Sequence, residues 1–210
     1  MDATTRLAAD QLSRMRGMTA MYHRRFFFDV NLTTLLLLAL LVIGWWRVEE
    51  AFLLVPVAAL MGAMATAFAA SYLVFARWYS AYLESYLNDR IDDHVLVGSD
   101  LEGVYLFPLG SPKIVTIPVS GAFSWFSFVT VFYATLGALA YVFGFILGWG
   151  VLTAAPTGVL VLYLIGLFGL TLAALVFGIW WFVRGEGERR LQSVLDDRFG
   201  EPTRTSDDCG

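Results

Sequence analysis

The stretch of sequence that decides the fold runs from Ile114 to Val183 and reads IVTIPVSGAFSWFSFVTVFYATLGALAYVFGFILGWGVLTAAPTGVLVLYLIGLFGLTLAALVFGIWWFV. These 70 residues contain no Asp, Glu, Lys or Arg. About 20 consecutive apolar residues are enough for a helix to span a bilayer. The stretch therefore predicts two membrane spans.

The composition of the whole chain points the same way. Of its 210 residues 58% are hydrophobic and 15% are charged, which excludes an ordinary soluble domain and a disordered chain. The net charge of −4 argues against a general nucleic-acid partner. A single cysteine, Cys209, can form neither an internal disulfide nor a multi-cysteine metal site.

Two further apolar runs precede this stretch, so the sequence predicts four spans in all. Each must be helical, because lipid offers no hydrogen-bond partner to a free backbone group. The fold class expected is an all-α membrane protein built as a four-transmembrane-helix bundle. The predicted spans are Phe26–Trp46, Phe52–Phe75, Ala122–Leu147 and Gly158–Val183.

The basic residues predict the orientation. Thirteen of the 14 Lys and Arg residues lie in three segments that share one side, and only Arg47 lies on the other. By the positive-inside rule both termini are cytoplasmic in a multi-pass protein of the inner cell membrane. The seven tryptophans, Trp78 among them, fall near the predicted span ends, which is typical of an interfacial aromatic belt.

Between the second and third spans the sequence predicts a projecting helix and then a small β-segment. A helical spacing of apolar residues continues to Ile91, so we expect one long helix from about Val57 to Ile91. Three short runs then favour strands, at His94–Val97, Val104–Phe107 and Ile114–Ile117. The expected divisions are an N-terminal cytoplasmic segment 1–25, hairpin 26–75, cytoplasmic segment 76–118, hairpin 119–183 and cytoplasmic tail 184–210.

The two halves of the chain resemble each other. Residues 83–91 read LESYLNDRI and residues 191–199 read LQSVLDDRF. This similarity favours a duplicated, parallel helical hairpin, with chance similarity between amphipathic helices as the alternative. Gly185 and Gly187 follow the fourth span, so the second extension is expected to be hinged.

The spans carry few groups capable of chemistry. Asp29, beside Asn31, is the one possible intramembrane polar site, and pairing with Arg24 or Arg25 is the simpler interpretation. Asp92, Asp93 and His94 are adjacent in sequence, which does not make a closed metal-ligand set. The sequence therefore predicts no catalytic residues, no metal and no cofactor.

Specificity is expected in the cytoplasmic helices. The favoured function is a non-enzymatic accessory or scaffolding subunit that docks a protein partner or another copy at the lipid bilayer. The alternatives are a homo-oligomeric channel or small-solute transporter, and a membrane enzyme at the cytoplasmic headgroup level. The predicted interaction residues are Tyr82, Leu83, Tyr86, Leu87, Arg90, Leu191, Leu195 and Arg198.

Overall fold

Nearly all of the described chain is helical. The computed structural model describes residues 3–106, 113–114, 117–118 and 124–199. A 3₁₀ helix, Glu49–Leu53, follows the first α-helix, and a π-helical turn, Ile179–Val183, follows the fifth. The α-helices are α1 (Ala3–Trp46), α2 (Leu54–Ile91), α3 (Gly98–Tyr105), α4 (Trp125–Ala154), α5 (Thr157–Gly178) and α6 (Glu186–Phe199).

Helices α1 and α2 form a long antiparallel hairpin with one continuous seam. The buried residues of α1, from Thr5 to Gly44, follow one another at intervals of three, four or seven. A matching series on α2 comprises Val55, Ala59, Gly62, Ala69, Leu73, Ala76, Ser80, Leu83 and Leu87. This spacing keeps one stripe of each helix facing the other, as in a coiled coil. The small residues of α2 let the two backbones approach closely.

Helix α4 packs against the α2 side of this hairpin, and its glycines set the distance. A Cβ atom at Gly144 would lie 2.5 Å from Val55 Cβ, and one at Gly148 would lie 2.8 Å from a methyl of Leu53. Helix α5 touches α4 and α2 at fewer places. Two hydroxyls help to hold it: Tyr163 Oη donates to the Leu53 carbonyl at 2.7 Å, and Tyr141 Oη lies 3.0 Å from Thr171 Oγ1.

The predicted spans are confirmed as helices. Four helical segments of the described chain are long and apolar enough to cross a membrane, and each covers nearly all of the described part of one predicted span. The long second helix ends at Ile91, as expected. The hinge after the fourth span is also confirmed, because Gly185 has a φ of +66° between the π-helical turn and α6. Glycine adopts this left-handed conformation without a Cβ clash.

The predicted β-segment is largely wrong. Residues 94–97 form no described strand, and Val104 belongs to α3. Among the described residues the strands are β1 (Lys113–Ile114) and β2 (Ile117–Pro118), which pair in antiparallel register with Ile114 opposite Ile117. Phe107 lies outside the described residues. Residues Gly98-Ser99-Asp100 begin α3, and the Ser99 amide is bonded by the distant side chain of Glu84.

The aromatic-belt prediction is wrong for one tryptophan. Trp45, Trp46 and Trp125 are more than two-thirds exposed, as lipid-interface residues would be. Trp78 is only 8% exposed, because Tyr82 of its own helix and Leu195 of α6 cover it. Sequence position alone does not show which face of a helix a tryptophan occupies.

The polar ends of the helices gather into one unit, which we call the head. It comprises residues 3–25 of α1, residues 76–91 of α2, the segment 92–106 and α6. The N-terminal segment was expected only to be cytoplasmic and polar, yet it is an unbroken continuation of the first span. All of the interaction residues that the sequence predicted belong to this head.

Candidate functional site in the head

A buried ion pair ties the segment after α2 back to that helix. The Arg77 side chain is fully buried, and its Nε donates to Glu102 Oε2 on α3 at 3.1 Å. Burial lowers the pKa of Arg77, and the carboxylates of Glu102 and Glu188 act in the opposite direction by favouring its charged form. An arginine in such a place needs a bound carboxylate, because an unpaired buried charge is costly.

A second carboxylate joins three elements of the head. Glu84 is 2% exposed and accepts a hydrogen bond from Arg16 Nη2 of α1 at 2.8 Å. Its other oxygen accepts from the Ser99 amide at 2.8 Å and from the Ser99 hydroxyl at 2.9 Å. Ser99 lies in the first turn of α3, so Glu84 supplies that helix with an N-terminal acceptor from outside it.

A third anchor fixes the turn that follows α2. Asn88 Nδ2 donates to the Leu96 carbonyl at 2.9 Å, and the Leu96 amide donates to Asn88 Oδ1 at 3.0 Å. Asp92 ends α2 in the left-handed conformation with a φ of 55°, which Asp tolerates better than most residues. The chain can thus reverse and run back along its own helix.

These anchors correct one detail of the amphipathic pattern. Glu84 and Asn88 lie on the other side of the projecting helix from its apolar stripe, yet both are buried. The helix is covered by α1, by the segment 92–106 and by α6, so little of its surface is left for water. No local signal identifies these partners, since Arg16 and Ser99 lie 68 and 15 residues away from Glu84.

Two of the predicted interaction residues, Leu83 and Leu87, are buried within the head. Leu83 and Leu87 pack against Leu12 and Met15 of α1. Neither leucine is more than 2% exposed. Their contribution in this structure is to hold the hairpin together beyond the predicted spans.

The Tyr82 face of α2 is covered by α6. Leu195 and Leu191 pack against Tyr82, and the Tyr82 hydroxyl donates to the Asp196 carboxylate. Tyr86 is half-buried and carries the guanidinium of Arg90 above its ring, 5.3 Å from the centroid. The side chain of Arg198 lies outside the described part of the structure. The structure thus joins the two similar segments, residues 83–91 and 191–199, within one head.

We expect that Leu195→Ala will loosen α6 from α2. Leu195 is 6% exposed, and truncating a buried leucine to alanine typically costs about 2–5 kcal/mol. Hydrogen exchange in detergent should therefore show faster amide exchange across α6. Val194→Ala is the matched control, because Val194 is 61% exposed and its loss should leave that exchange unchanged. Equal exchange in the two variants would contradict the docked arrangement.

Asp29 and Asn31, the possible polar site in the first span, each contact a different partner. Arg25 Nε donates to Asp29 Oδ2 at 3.3 Å within α1, which is the pairing that the simpler interpretation expects. Asn31 Oδ1 accepts from Tyr133 Oη of α4 at 3.2 Å. Each side chain therefore has a structural partner of its own.

Asp92, Asp93 and His94 lie at the far tip of the head. All three are exposed, and Asp92 follows Phe75 by 17 residues. At 1.5 Å per residue, this places Asp92 about 25 Å beyond the predicted second span. Among the residues that the structure describes, no group of three potential His, Cys, Asp or Glu ligands is found. The distance argues against headgroup-level chemistry at these three residues.

Two shallow cavities follow the same face of α1. The outer one, about 310 Å³, lies between Leu12 of α1 and Leu87 and Leu96. The inner one, about 400 Å³, is lined by Arg16, Thr19, Ala20, His23, Leu101, Glu102 and Leu106. We call this second cavity the His23 groove. The sequence pattern does not predict this groove, because one of its walls belongs to α3, which was expected to be a strand and turns.

His23, which lines the groove, also contacts two aromatic rings. The imidazole of His23 lies 5.9 Å from the ring of Phe126, at the start of α4, and 5.0 Å from that of Phe27. Burial lowers the pKa of His23, which extends the pH range over which its imidazole is neutral. The groove thus combines hydrogen-bonding groups on α1 with apolar side chains on and after α3.

Apolar side chains also remain exposed on the head. At the tip, Leu7, Ile91 and Val95 are 69%, 52% and 62% exposed. On α3, Leu101 is 66% and Val104 is 83% exposed.

The chain matches no family model, and neither a curated protein nor a solved structure matches it.

Proposed function

We propose that the chain is a non-enzymatic accessory or scaffolding subunit of a membrane assembly, and that its head docks a protein partner or a second copy. The observation that carries this proposal is the exposure of Leu7, Ile91 and Val95 at the tip. Clustered apolar side chains that face water are typical of protein interfaces.

Lipid does not account for this exposure. Ile91 follows Phe75 by 16 residues, which is about 24 Å along a helix axis. The headgroup layer adds only about 5–8 Å to each side of the hydrocarbon core. Side chains so far from the bilayer are better matched to a protein surface. Tyr86 and Arg90, both on the last turns of α2, border the tip and belong to the proposed docking surface.

The buried interaction residues support docking indirectly. Leu83, Leu87, Leu191 and Leu195 fix α1, α2 and α6 to one another. A rigid surface loses little conformational entropy when it binds, so this packing favours affinity. In the membrane we propose a four-helix bundle in the inner cell membrane with both termini and the head in the cytoplasm, as the distribution of Arg and Lys predicts.

The duplication remains part of the proposal. The two similar segments each use a leucine pair to pack on a neighbouring helix, Leu83 and Leu87 on α1, Leu191 and Leu195 on α2. Helix α4 starts at Trp125, within the predicted third span, whereas α1 starts well before the first predicted span. We propose that α6 therefore docks on the first hairpin, with Gly185 providing the change of direction.

The docking proposal is tested by the mass of the complex released from native membranes in a mild detergent. The wild-type chain should migrate in an assembly larger than the monomer. Ile91→Glu combined with Val95→Glu should reduce the amount of that assembly at least tenfold, because the two substitutions place charges in an apolar interface. A tenfold reduction corresponds to a loss of about 1.4 kcal/mol in binding free energy. Asp89→Lys is the control, an exposed polar residue of the same turn.

The outcomes are distinguishable. A wild-type chain that is monomeric, or a double variant that assembles as the wild type does, would overturn the proposal. Loss of assembly in Asp89→Lys as well would show a general effect of charge at the tip and would equally count against an apolar docking surface.

The second candidate is a homo-oligomeric channel or small-solute transporter. One observation favours it: a Cβ atom added at Gly158, Gly166 or Gly169 of α5 would meet nothing within 4 Å. Helix faces of this kind accept a second helix closely in membranes. Solute flux into proteoliposomes that contain the purified chain would support this candidate over a scaffold.

A further inference from the structure

We propose that the His23 groove binds the phosphate headgroup of an anionic phospholipid from the adjoining leaflet. The two ends of the groove set its level relative to the bilayer. His23 lies three residues before Phe26, where the first predicted span begins. At 1.5 Å per residue this separation is about 5 Å, within the thickness of the headgroup layer.

The other wall of the groove is fixed at the same level. The Ser124 hydroxyl donates to the carbonyl of Leu106, which joins the end of the α3 segment to the start of α4. The next residue, Trp125, is 70% exposed, and an exposed tryptophan at a span end is typical of the headgroup level. Lipid therefore reaches the open side of the groove.

The lining of the groove suits a phospholipid. Arg16 lines the groove, is half-exposed and gives one nitrogen to Glu84, so its guanidinium has further donors besides that one. His23 adds a further donor. On the opposite wall Leu101 and Leu106 are apolar, and they match the glycerol and upper acyl groups that follow a phosphate.

The local charge favours an anion over a cation. Glu102 is engaged by the buried Arg77, and Asp29 is engaged by Arg25. Arg24 and Arg25 are exposed one turn from the groove. Basic groups at the membrane surface attract anionic lipids, each contributing about 1 kcal/mol. Arg16, Arg25 and Arg77 are each paired with a carboxylate. The exposed Arg24, next to His23, adds a positive charge beyond these pairs.

The exposed apolar residues of α3 agree with this position. Leu101 and Val104 are largely exposed on the described head, yet they lie beside the start of α4 and not at the tip. A short helix that places apolar side chains at the headgroup boundary resembles an interfacial amphipathic helix. Leu101 also lines the groove, so one residue contacts both the boundary lipids and the bound headgroup.

The test uses native mass spectrometry of the full chain in micelles containing equal amounts of phosphatidylglycerol and phosphatidylcholine. The wild type should retain one phosphatidylglycerol about fivefold more often than phosphatidylcholine, which corresponds to a difference of about 1 kcal/mol. Leu101→Glu places a negative charge at the mouth and should remove this preference. Val104→Glu adds the same charge to the same helix outside the lining and should keep it.

Two tryptophan substitutions test the groove independently of charge. Ala20→Trp fills the groove and should abolish lipid retention, whereas Met21→Trp points elsewhere on α1 and should not. Retention unchanged in both Leu101→Glu and Ala20→Trp overturns the proposal. Equal retention of the two lipids overturns the anionic preference. Displacement of the lipid by millimolar inorganic phosphate would identify a free anion as the ligand instead.

Discussion

Replacing Glu102 by leucine is expected to destabilise the head by about 3 kcal/mol, since removing one partner of a buried ion pair leaves the other charge uncompensated. The charge left behind is that of Arg77, whose side chain is fully buried. Glu188 favours the charged form of Arg77 as well, but it is a lesser influence than Glu102. Thermal or chemical unfolding of the purified chain in detergent would measure the loss.

Replacing Arg77 instead of Glu102 should reduce the stability of the head less. Glu102 has about a third of its side chain exposed, so Arg77→Met leaves a carboxylate that water can reach. The double variant Arg77→Met with Glu102→Leu should be more stable than Glu102→Leu alone, because the two residues are coupled. Arg25→Gln, which breaks an exposed pair with Asp29, is the control and should cost less than about 1 kcal/mol.

The expected order of stability is therefore Arg25→Gln above the double variant, and the double variant above Glu102→Leu. If Glu102→Leu is as stable as Arg25→Gln, or if the double variant is the least stable of all, Glu102 does not compensate a buried charge.

The second large effect is expected at Gly144, where leucine should push α4 away from α2. The first added carbon would lie 2.5 Å from Val55 Cβ and 3.1 Å from Pro56 Cδ. Overpacking in a well-packed site costs about 1–3 kcal/mol or more. Here the neighbouring atoms belong to a rigid β-branched side chain and a proline ring, so we expect the upper part of that range. The melting temperature in detergent should fall accordingly.

Gly137 offers a matched control on the same helix. An added Cβ there meets nothing within 4 Å. Leucine is also a better helix former than glycine, by somewhat less than about 1 kcal/mol. Gly137→Leu should therefore be neutral or slightly stabilising. Comparable losses at Gly137 and Gly144 would show that the α2–α4 contact does not depend on this close approach.

The sequence was sufficient for the features that depend on local pattern. The charge-free stretch and the apolar runs located the spans, because length and hydropathy are local properties. The end of α2 at Ile91 and the hinge at Gly185 were likewise predicted from neighbouring residues. Periodicity over a few turns and the conformational freedom of glycine are enough for such predictions.

The anchoring of the head could not be predicted in the same way. Arg77, Glu84 and Asn88 look like surface residues of a helix until their partners are known. Those partners lie eight to 68 residues away, and their positions depend on how the chain folds back. Helix α3 was missed for this reason, since the side chain of Glu84 bonds the amide of Ser99 in its first turn.

One missed feature did leave a signal in the sequence. Thr5, Ala8, Leu12, Met15 and Thr19 alternate in steps of three and four, and all five are buried. The polar residues between them gave the N-terminal segment a hydrophilic average that hid the stripe. The His23 groove left no such signal, because one of its walls belongs to the unpredicted α3.

The continuous seam between α1 and α2 has a mechanical consequence. It joins the tip of the head to the opposite end of the first hairpin without a break, from Leu87 to Val55 on α2. In a packed seam the side chains shift between discrete registers, and a one-turn step moves a helix about 5.4 Å along its partner. A force applied to α2 at the head would thus move this helix along α1 in whole turns over the length of the hairpin.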